Sequence, residues 1–400
     1  MNYKKIATKR GIKVIYNIIK YIIVYYAVKI EFMLIRNTEE IWLITERQSE
    51  ARDNGYHMFK YIREKYPNIK VYYAIDKKSP DRSKISGLGN ILKFGSIKHY
   101  RIYFKATKHI STHLNGYMPN EKACVMLSKI FKINAKKVFL QHGVIKDFMK
   151  QCCKSETDLD LFVCGAYPEY KFVRKNFGYD DNEVKYLGLA RFDLLHTFEV
   201  KKQILFMPTF RMNLFMYDDD NLSNEKERRF LESEYYKRYQ SLLNSEKLNN
   251  ILNYYDIDFV FYPHYEIQKY IHLFYSDSSR VIIANKKNYD VQQLLKESAI
   301  LITDYSSVYF DFAYMKKPII YYQFDYKYYR DTHYSEGYFS YNNNGFGKIV
   351  IDECELIKEI EKIIINRFKM PTKYENRVND FFRLYDENNR FRIFEEIRNL

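Results

Sequence analysis

The stretch Ala299-Ile300-Leu301-Ile302-Thr303-Asp304-Tyr305-Ser306-Ser307-Val308-Tyr309-Phe310-Asp311-Phe312 decides how this chain is read. It opens as an apolar, β-branched run, the pattern of a strand buried on both faces of a parallel sheet. Asp304 ends the run, two small hydroxyl residues follow, and helical periodicity takes over. A strand that feeds a helix N-terminus offers unpaired N–H groups and the positive end of a helix dipole, which suits a phosphate or a diphosphate. Ser306 and Ser307 add hydroxyl donors, and Asp304 is placed to cap the helix. Asp311 falls two turns further along the same face. An ordinary capped helix after an ordinary strand would read the same way, so the rest of the chain must discriminate.

Outward from this stretch the pattern repeats. Ile41–Thr45, Val71–Ile75, Ile91–Phe94, His109–Ser111, Lys137–Leu140, Leu161–Cys164 and Glu183–Leu187 read as strands, with helices expected over 54–66 and 97–106. A second series follows at Gln203–Met207, Asp258–Phe261, Val281–Ile283, Leu301–Thr303 and Pro318–Tyr322, with a polar loop over 217–227 and one long helix over 227–248. Strands alternating with helices imply parallel sheets covered on both faces. The expected fold is α/β: two doubly wound, Rossmann-like domains, residues 37–195 and 196–400, behind an N-terminal segment of residues 1–36.

That segment carries Lys4, Lys5, Lys9, Arg10 and Lys13 ahead of an apolar run over residues 14–28 that Lys20 interrupts. A membrane-spanning helix needs about 20 apolar residues, more than the run supplies. Lys9, Lys13, Asn17 and Lys20 share one helical face with Ile and Tyr opposite. This is the pattern of an amphipathic helix lying on a membrane, basic side toward anionic headgroups. No small-residue cleavage site follows, which argues against a signal peptide.

Composition excludes several classes. Of the 400 residues, 46% are hydrophobic, too many for a disordered chain. Five cysteines without CxxC spacing disfavour a disulfide framework or a zinc site. The net charge of +15 predicts attraction to polyanions. The basic residues are dispersed among 50 acidic ones and no nucleic-acid-binding motif is present, so no nucleic acid partner is expected.

Polar groups recur just after expected strands, where a doubly wound sheet presents its working residues. They are His142 with Gly143, Thr209 with Arg211, His264 after Pro263, and Asp304 with Ser306 and Ser307. Arg offers a planar fork for phosphate, and His accepts a proton near neutral pH. His113, His109 and His99 are weaker candidates. No carboxylate cluster has metal-ligand spacing, so neither a metal nor a cofactor is expected, although a missing motif says nothing against a loosely held Mg2+.

Five blocks resemble the CDP-glycerol glycerophosphotransferase family, the teichoic-acid and capsule polymerases. They are Gln141-His142-Gly143-Val144, Met207-Pro208-Thr209-Phe210-Arg211, Tyr262-Pro263-His264, Thr303 to Phe312, and Lys317-Pro318-Ile319-Ile320 running on to Phe324-Asp325. Milder likeness covers Asp53-Asn54-Gly55-Tyr56 and Gly188-Leu189-Ala190-Arg191-Phe192-Asp193. The chain departs from the family at Gln141, where members often carry Trp.

The resemblance implies a GT-B-like fold and a peripheral enzyme at the cytoplasmic face of the cell membrane. It implies transfer of a glycerol-phosphate unit from CDP-glycerol, or another CDP-alcohol, to a hydroxyl of a lipid-linked teichoic-acid or capsular polymer, with release of CMP. His142 would be the general base, with Gln141 and Gly143 on the acceptor side. Arg211, His264, Asp304, Ser306, Ser307 and Asp311 would hold the nucleotide diphosphate. The competing expectation is a GT-B glycosyltransferase that uses a nucleotide sugar in cell-surface polysaccharide synthesis.

Overall fold

Strands rich in β-branched and aromatic residues, with apolar side chains on both faces, require a covering layer on each side. The computed structural model describes residues 3–34, 39–215, 224–333 and 335–400, with side chains from Val14 onward except at positions 213 and 215. Among the described residues, thirteen strands form two parallel sheets, each with helices packed on it. The chain divides into two compact units, and the division does not follow the sequence in one cut. The first unit takes the described residues up to His142, then Lys150–Asp193 and Asp386–Leu400. The second takes Gly143–Met149 and Leu194–Tyr385.

The first sheet contains β1 (Ile41–Thr45), β2 (Lys70–Ile75), β3 (Ile91–Lys93), β4 (Lys108–Ser111), β5 (Lys136–Phe139), β6 (Leu161–Cys164) and β7 (Val184–Tyr186), in spatial order β3-β2-β1-β4-β5-β6-β7. Alternation along β1 serves both faces. Trp42 and Ile44 enter a core with α2 (Asn54–Lys65) and the C-terminal helix Asn389–Arg398, through Met58, Phe59, Ile62, Ile393, Phe394 and Ile397. Ile41 and Leu43 enter the opposite core with α1 (Tyr3–Leu34) and the helix Ile97–Lys105, through Tyr21, Val24, Val28, Tyr100 and Phe104.

The C-terminal helix is held by Asp193. Its Oδ1 accepts from Asn389 N at 2.8 Å and from Asn389 Nδ2 at 2.7 Å. Its Oδ2 accepts from Arg390 N at 3.0 Å and Nε at 2.8 Å. This departs from the expected boundary, because residues 386–400 complete the first unit rather than the second.

The second sheet contains β8 (Gln203–Met207), β9 (Asp258–Phe261), β10 (Val281–Ile283), β11 (Ile300–Thr303), β12 (Ile319–Tyr322) and β13 (Gly347–Val350), in order β10-β9-β8-β11-β12-β13. β13 is an addition to the expected strands. The single helix expected over 227–248 is three: Asn224–Glu232, Glu234–Leu243 and Glu246–Tyr255. Ser233 makes the first break, its hydroxyl accepting from Tyr236 N as an N-cap. The polar loop expected over 217–227 lies outside the described residues as far as 223.

α1 differs from its expected orientation. Asn17 is buried, and Lys20 donates to the Gly95 carbonyl at 2.6 Å with its ammonium over the Tyr100 ring. The polar face therefore packs on the first unit rather than facing away from it. Lys4, Lys5, Lys9, Arg10 and Lys13 lie outside the described side chains. No helix among the described residues is long and apolar enough to cross a membrane.

Candidate active site

In each sheet the strand order reverses beside the first strand, between β1 and β4 and between β8 and β11. At such switch points neighbouring connections diverge to opposite faces and leave a crevice beyond the strands' carboxyl ends. The two units treat this crevice differently.

In the first unit the backbone donors of this crevice are already taken. β1 is followed by Glu46, a fully buried carboxylate missed in the sequence. It accepts from Arg52 N at 2.9 Å, Asp53 N at 3.0 Å and Tyr56 N at 2.6 Å, at the start of α2. Burial and neighbouring Asp53 push its pKa up to about 8, while the three N–H donors pull the other way. The carboxylate takes the place that a phosphate takes in a nucleotide-binding unit. Gly55 permits the approach, since a Cβ there would lie 2.9 Å from Glu46 Cγ.

His142 follows β5 on a rigid loop. Gln141 before it has a left-handed backbone, φ 59°. Its side chain is buried and its amide donates to the Val163 carbonyl. Gln141 is therefore a pin for the loop, which departs from its expected acceptor-side role. Asn54 Nδ2 donates to the Gln141 carbonyl at 2.8 Å, and Arg191 Nη1 donates to the His142 carbonyl at 3.2 Å. Asp53 Oδ1 holds Arg191 at 2.6 Å. The two mildly similar blocks, Asp53–Tyr56 and Gly188–Asp193, thus meet around this loop. His142 is an exposed residue whose ring is nonetheless surrounded by protein. Burial first, then Arg47 and Arg191, push its pKa down to about 4, so it is neutral at pH 7. Gly143 is buried and begins the segment that belongs to the second unit.

In the second unit the switch point is built on Asp304, fully buried at the end of β11. Oδ1 accepts from Thr209 N at 2.8 Å and from Tyr305 N at 2.5 Å. Oδ2 accepts from Tyr239 OH at 3.1 Å and pairs with Arg211 Nη1 at 2.8 Å. Arg211 is itself buried. Its Nε donates to Asp325 Oδ2 at 2.6 Å, its Nη2 to Asp325 Oδ1 at 3.0 Å, and its Nη1 to the Thr209 carbonyl at 2.9 Å. Tyr305 and Tyr329, stacked 3.8 Å apart, lie within cation–π range of the guanidinium.

These contacts change two expected roles. Arg211 presents no open fork to phosphate, because carboxylates fill it. Asp304 caps no helix: the helix is Tyr309–Tyr314, its N-cap position is Val308, and Asp304 and Asp311 do not share a helical face. Both hold up what surrounds them.

What surrounds them is the turn 305–308. The first bonds of the following turn run from Tyr309 N to the Ser306 carbonyl and from Phe310 N to the Ser307 carbonyl. The N–H groups of Ser306, Ser307 and Val308 thus stand ahead of the helical ladder. Ser306 is buried, Ser307 is half-buried, and Asp311 is buried in the helix. His264 follows β9 and caps the 3-10 turn Tyr265–Leu273, Nδ1 accepting from Glu266 N at 3.3 Å. An accepting Nδ1 leaves the ring proton on Nε2. His264 stacks on Phe210, centroids 4.7 Å apart, and Phe210 also meets His333 at 5.7 Å.

Sequence reasoning missed His333, Lys146, Asp147 and Arg330. Arg330 Nη1 donates to Asp147 Oδ1 at 2.8 Å, and Lys146 pairs with the same carboxylate. Burial lowers the Lys146 pKa. His333 is held near 4 by burial and by Arg211. No group of three His, Cys, Asp or Glu among the described residues is placed to hold a metal ion.

The sequence profile of the CDP-Glycerol:Poly(glycerophosphate) glycerophosphotransferase family matches residues 26–399. The chain belongs to this family. A relative in Bacillus subtilis (strain 168), the minor teichoic acid biosynthesis protein GgaB, is 34% identical over 367 residues, 91% of this chain and 40% of GgaB. A teichoic acid poly(glycerol phosphate) polymerase of Staphylococcus epidermidis is 23% identical over 355 residues, 82% of this chain and 46% of the polymerase. The chain thus spans less than half the length of either relative. The solved structure of the wall teichoic acid polymerase TagF shares the fold, with TM-score 0.70, 19% identity, and coverage of 99% of this chain and 96% of that one.

Replacing Arg211 with Met tests the Asp304 cluster. The Asp304 pKa lies above the usual carboxylate value, because burial outweighs the pull of Arg211. A carboxyl group whose folded pKa is raised stabilises the fold fully below its unfolded pKa. That stability is lost as pH rises through the folded value. Removing Arg211 raises the folded value further, so Arg211→Met should be destabilised by about 3–5 kcal/mol at pH 8 and by less at pH 5. Urea midpoints at the two pH values check this, and equal losses would contradict it.

Proposed function

We propose that this chain transfers a glycerol-phosphate, or related polyol-phosphate, unit from CDP-glycerol to a hydroxyl of a lipid-linked teichoic-acid or capsular polymer, releasing CMP. The observation that carries this reading is the contrast between the switch points in a member of this family. Glu46 closes the first, and the Asp304 cluster in the second holds a turn of free N–H groups and two serines.

The donor's diphosphate binds the second unit. Ser306 and Ser307 supply hydroxyl and N–H donors, and His264 supplies Nε2–H. Arg211, Asp304 and Asp325 keep that turn in place. His142 serves the acceptor. Its ring is bonded to the Thr112 backbone. With its proton committed to that carbonyl, the other nitrogen has a lone pair for the acceptor hydroxyl. A positioned base of this kind supplies about 10²–10⁴-fold. The acceptor oxygen forms a bond to the β-phosphorus as the bond from that phosphorus to the bridging oxygen breaks. The hydroxyl proton passes to His142, and the bridging oxygen leaves with CMP. Charge developing on CMP is met by the donors of the 305–308 turn.

α1 supports a peripheral site at the cytoplasmic membrane face. Tyr21, Val24 and Val28 point into the core, and the opposite side is apolar too. Tyr16, Ile19, Ile23, Tyr26, Ile30 and Met33 form a stripe at helical spacing, each at least half exposed, Ile23 at 62% and Met33 at 73%. Such a stripe enters the boundary between headgroups and acyl chains, and a net charge of +15 favours anionic lipid.

Two experiments check these readings. Nucleotide release is measured with CDP-glycerol, CDP-ribitol, UDP-glucose and UDP-GlcNAc and a polyol-phosphate acceptor. CMP from a CDP-alcohol is expected, with a raised donor KM in the Ser306→Ala, Ser307→Ala variant. UDP from a nucleotide sugar would make the chain a glycosyltransferase instead. For α1, substituting Ile19, Ile23 and Ile30 with Ser leaves the inward face intact. Flotation with anionic vesicles should show loss of binding with the fold retained, and unchanged binding would remove α1 from the membrane.

A further inference from the structure

β4 and β5 are neighbours in the first sheet, with Ser111 opposite Phe139. The residues that follow them leave the sheet side by side, and each loop carries a histidine. The rings of His113 and His142 stack with centroids 4.7 Å apart and planes inclined by 8°. That is the offset-stacked range of aromatic pairs.

The loop behind His113 is tied down at several points. Its N–H donates to Ser111 Oγ at 3.1 Å, and its carbonyl accepts from Gly116 N at 3.1 Å. A Cβ on Gly116 would lie 2.3 Å from Ser111 Oγ, so a larger residue there would displace the hydroxyl that accepts from His113 N. The ring's Nδ1 bonds Thr112 Oγ1 at 2.9 Å. The backbone of that same Thr112 bonds the His142 ring. His113 Nε2 is buried and has no hydrogen-bond partner. A buried, unsatisfied ring nitrogen costs stability in a purely structural aromatic position, where Phe would fill the space without it.

We propose that His113 is a positioning residue for His142: its ring, stacked face to face, holds the His142 imidazole in one orientation and keeps water off one of its faces. The proposal rests on the reading of His142 as the base for its catalytic consequence, but not for its structural one. The other charged groups acting on His142 are Arg47, after β1, and Arg191, which Asp53 neutralises in part. His113 itself is pushed down to about 3 by burial and by His142, so it is neutral in the working range and acts through its ring.

The test uses the full chain as wild type, His113→Ala and His113→Phe, with His142→Gln to assign the His142 resonance. Two quantities are read: the titration midpoint of the His142 imidazole by NMR, and kcat with donor KM from CMP release. His113→Ala opens the ring face to water, so the His142 midpoint should rise by about one pH unit. In the same variant kcat should fall about tenfold with donor KM unchanged. His113→Phe keeps the stack and should restore both. If His113→Ala does not fold, His113→Gln, which also removes the ring, takes its place. An unchanged His142 midpoint in the ring-less variant overturns the proposal. A raised midpoint with unchanged kcat also overturns His113 as a positioning residue, whereas turnover near the wild-type rate in His142→Gln would overturn the reading of His142 as the base, so the two readings fail separately.

Discussion

The ion cluster of Asp304, Arg211 and Asp325 is the constraint on which the second unit depends. It joins the ends of β8, β11 and β12 at the one place where the sheet's connections diverge. Buried charges are tolerable only when paired and fully hydrogen-bonded, and here both conditions hold. Asp304 accepts from two backbone N–H groups, a tyrosine and the arginine, and Arg211 is filled by two carboxylates and a carbonyl. Gln323 adds a bond to the Asp304 carbonyl at 2.8 Å. The outcome is a turn, residues 305–308, whose own N–H groups need not serve the fold. A cluster that uses its charges internally thereby leaves the neutral donors of the turn uncommitted.

The first unit solves a different problem. Its crevice carries a carboxylate of its own, Glu46, so an anionic ligand meets a helix start already occupied. The organised element there is the loop bearing His142, pinned through Asn54, Gln141 and Arg191 and faced by His113. A neutral imidazole in a rigid frame is suited to proton transfer rather than to holding a phosphate.

Much of this was legible in the sequence, and what was not has a physical pattern. Runs such as Ile41–Thr45 and Ile300–Thr303 announce buried strands because apolar side chains occupy both faces. β13, Gly347-Lys348-Ile349-Val350, is short and carries a glycine and a lysine, so its pattern is faint. The break at Ser233 is local chemistry that a helical period masks. Arg211 and Asp304 read in the sequence as outward-facing groups, whereas the structure turns both inward. Their partners, Asp325 and Tyr239, come from distant parts of the chain, and side-chain direction at a strand end is not written in spacing. Glu46 and the return of residues 386–400 to the first unit depend on contacts of the same kind.

The central claim is that the base and the diphosphate site belong to different residues of different chemistry. The most direct measurement compares CDP-glycerol affinity, by calorimetry, with CMP turnover in His142→Ala. The account predicts turnover reduced by about 10²-fold or more with donor affinity nearly unchanged. A collapse of donor affinity, or turnover near the wild-type rate, would contradict it.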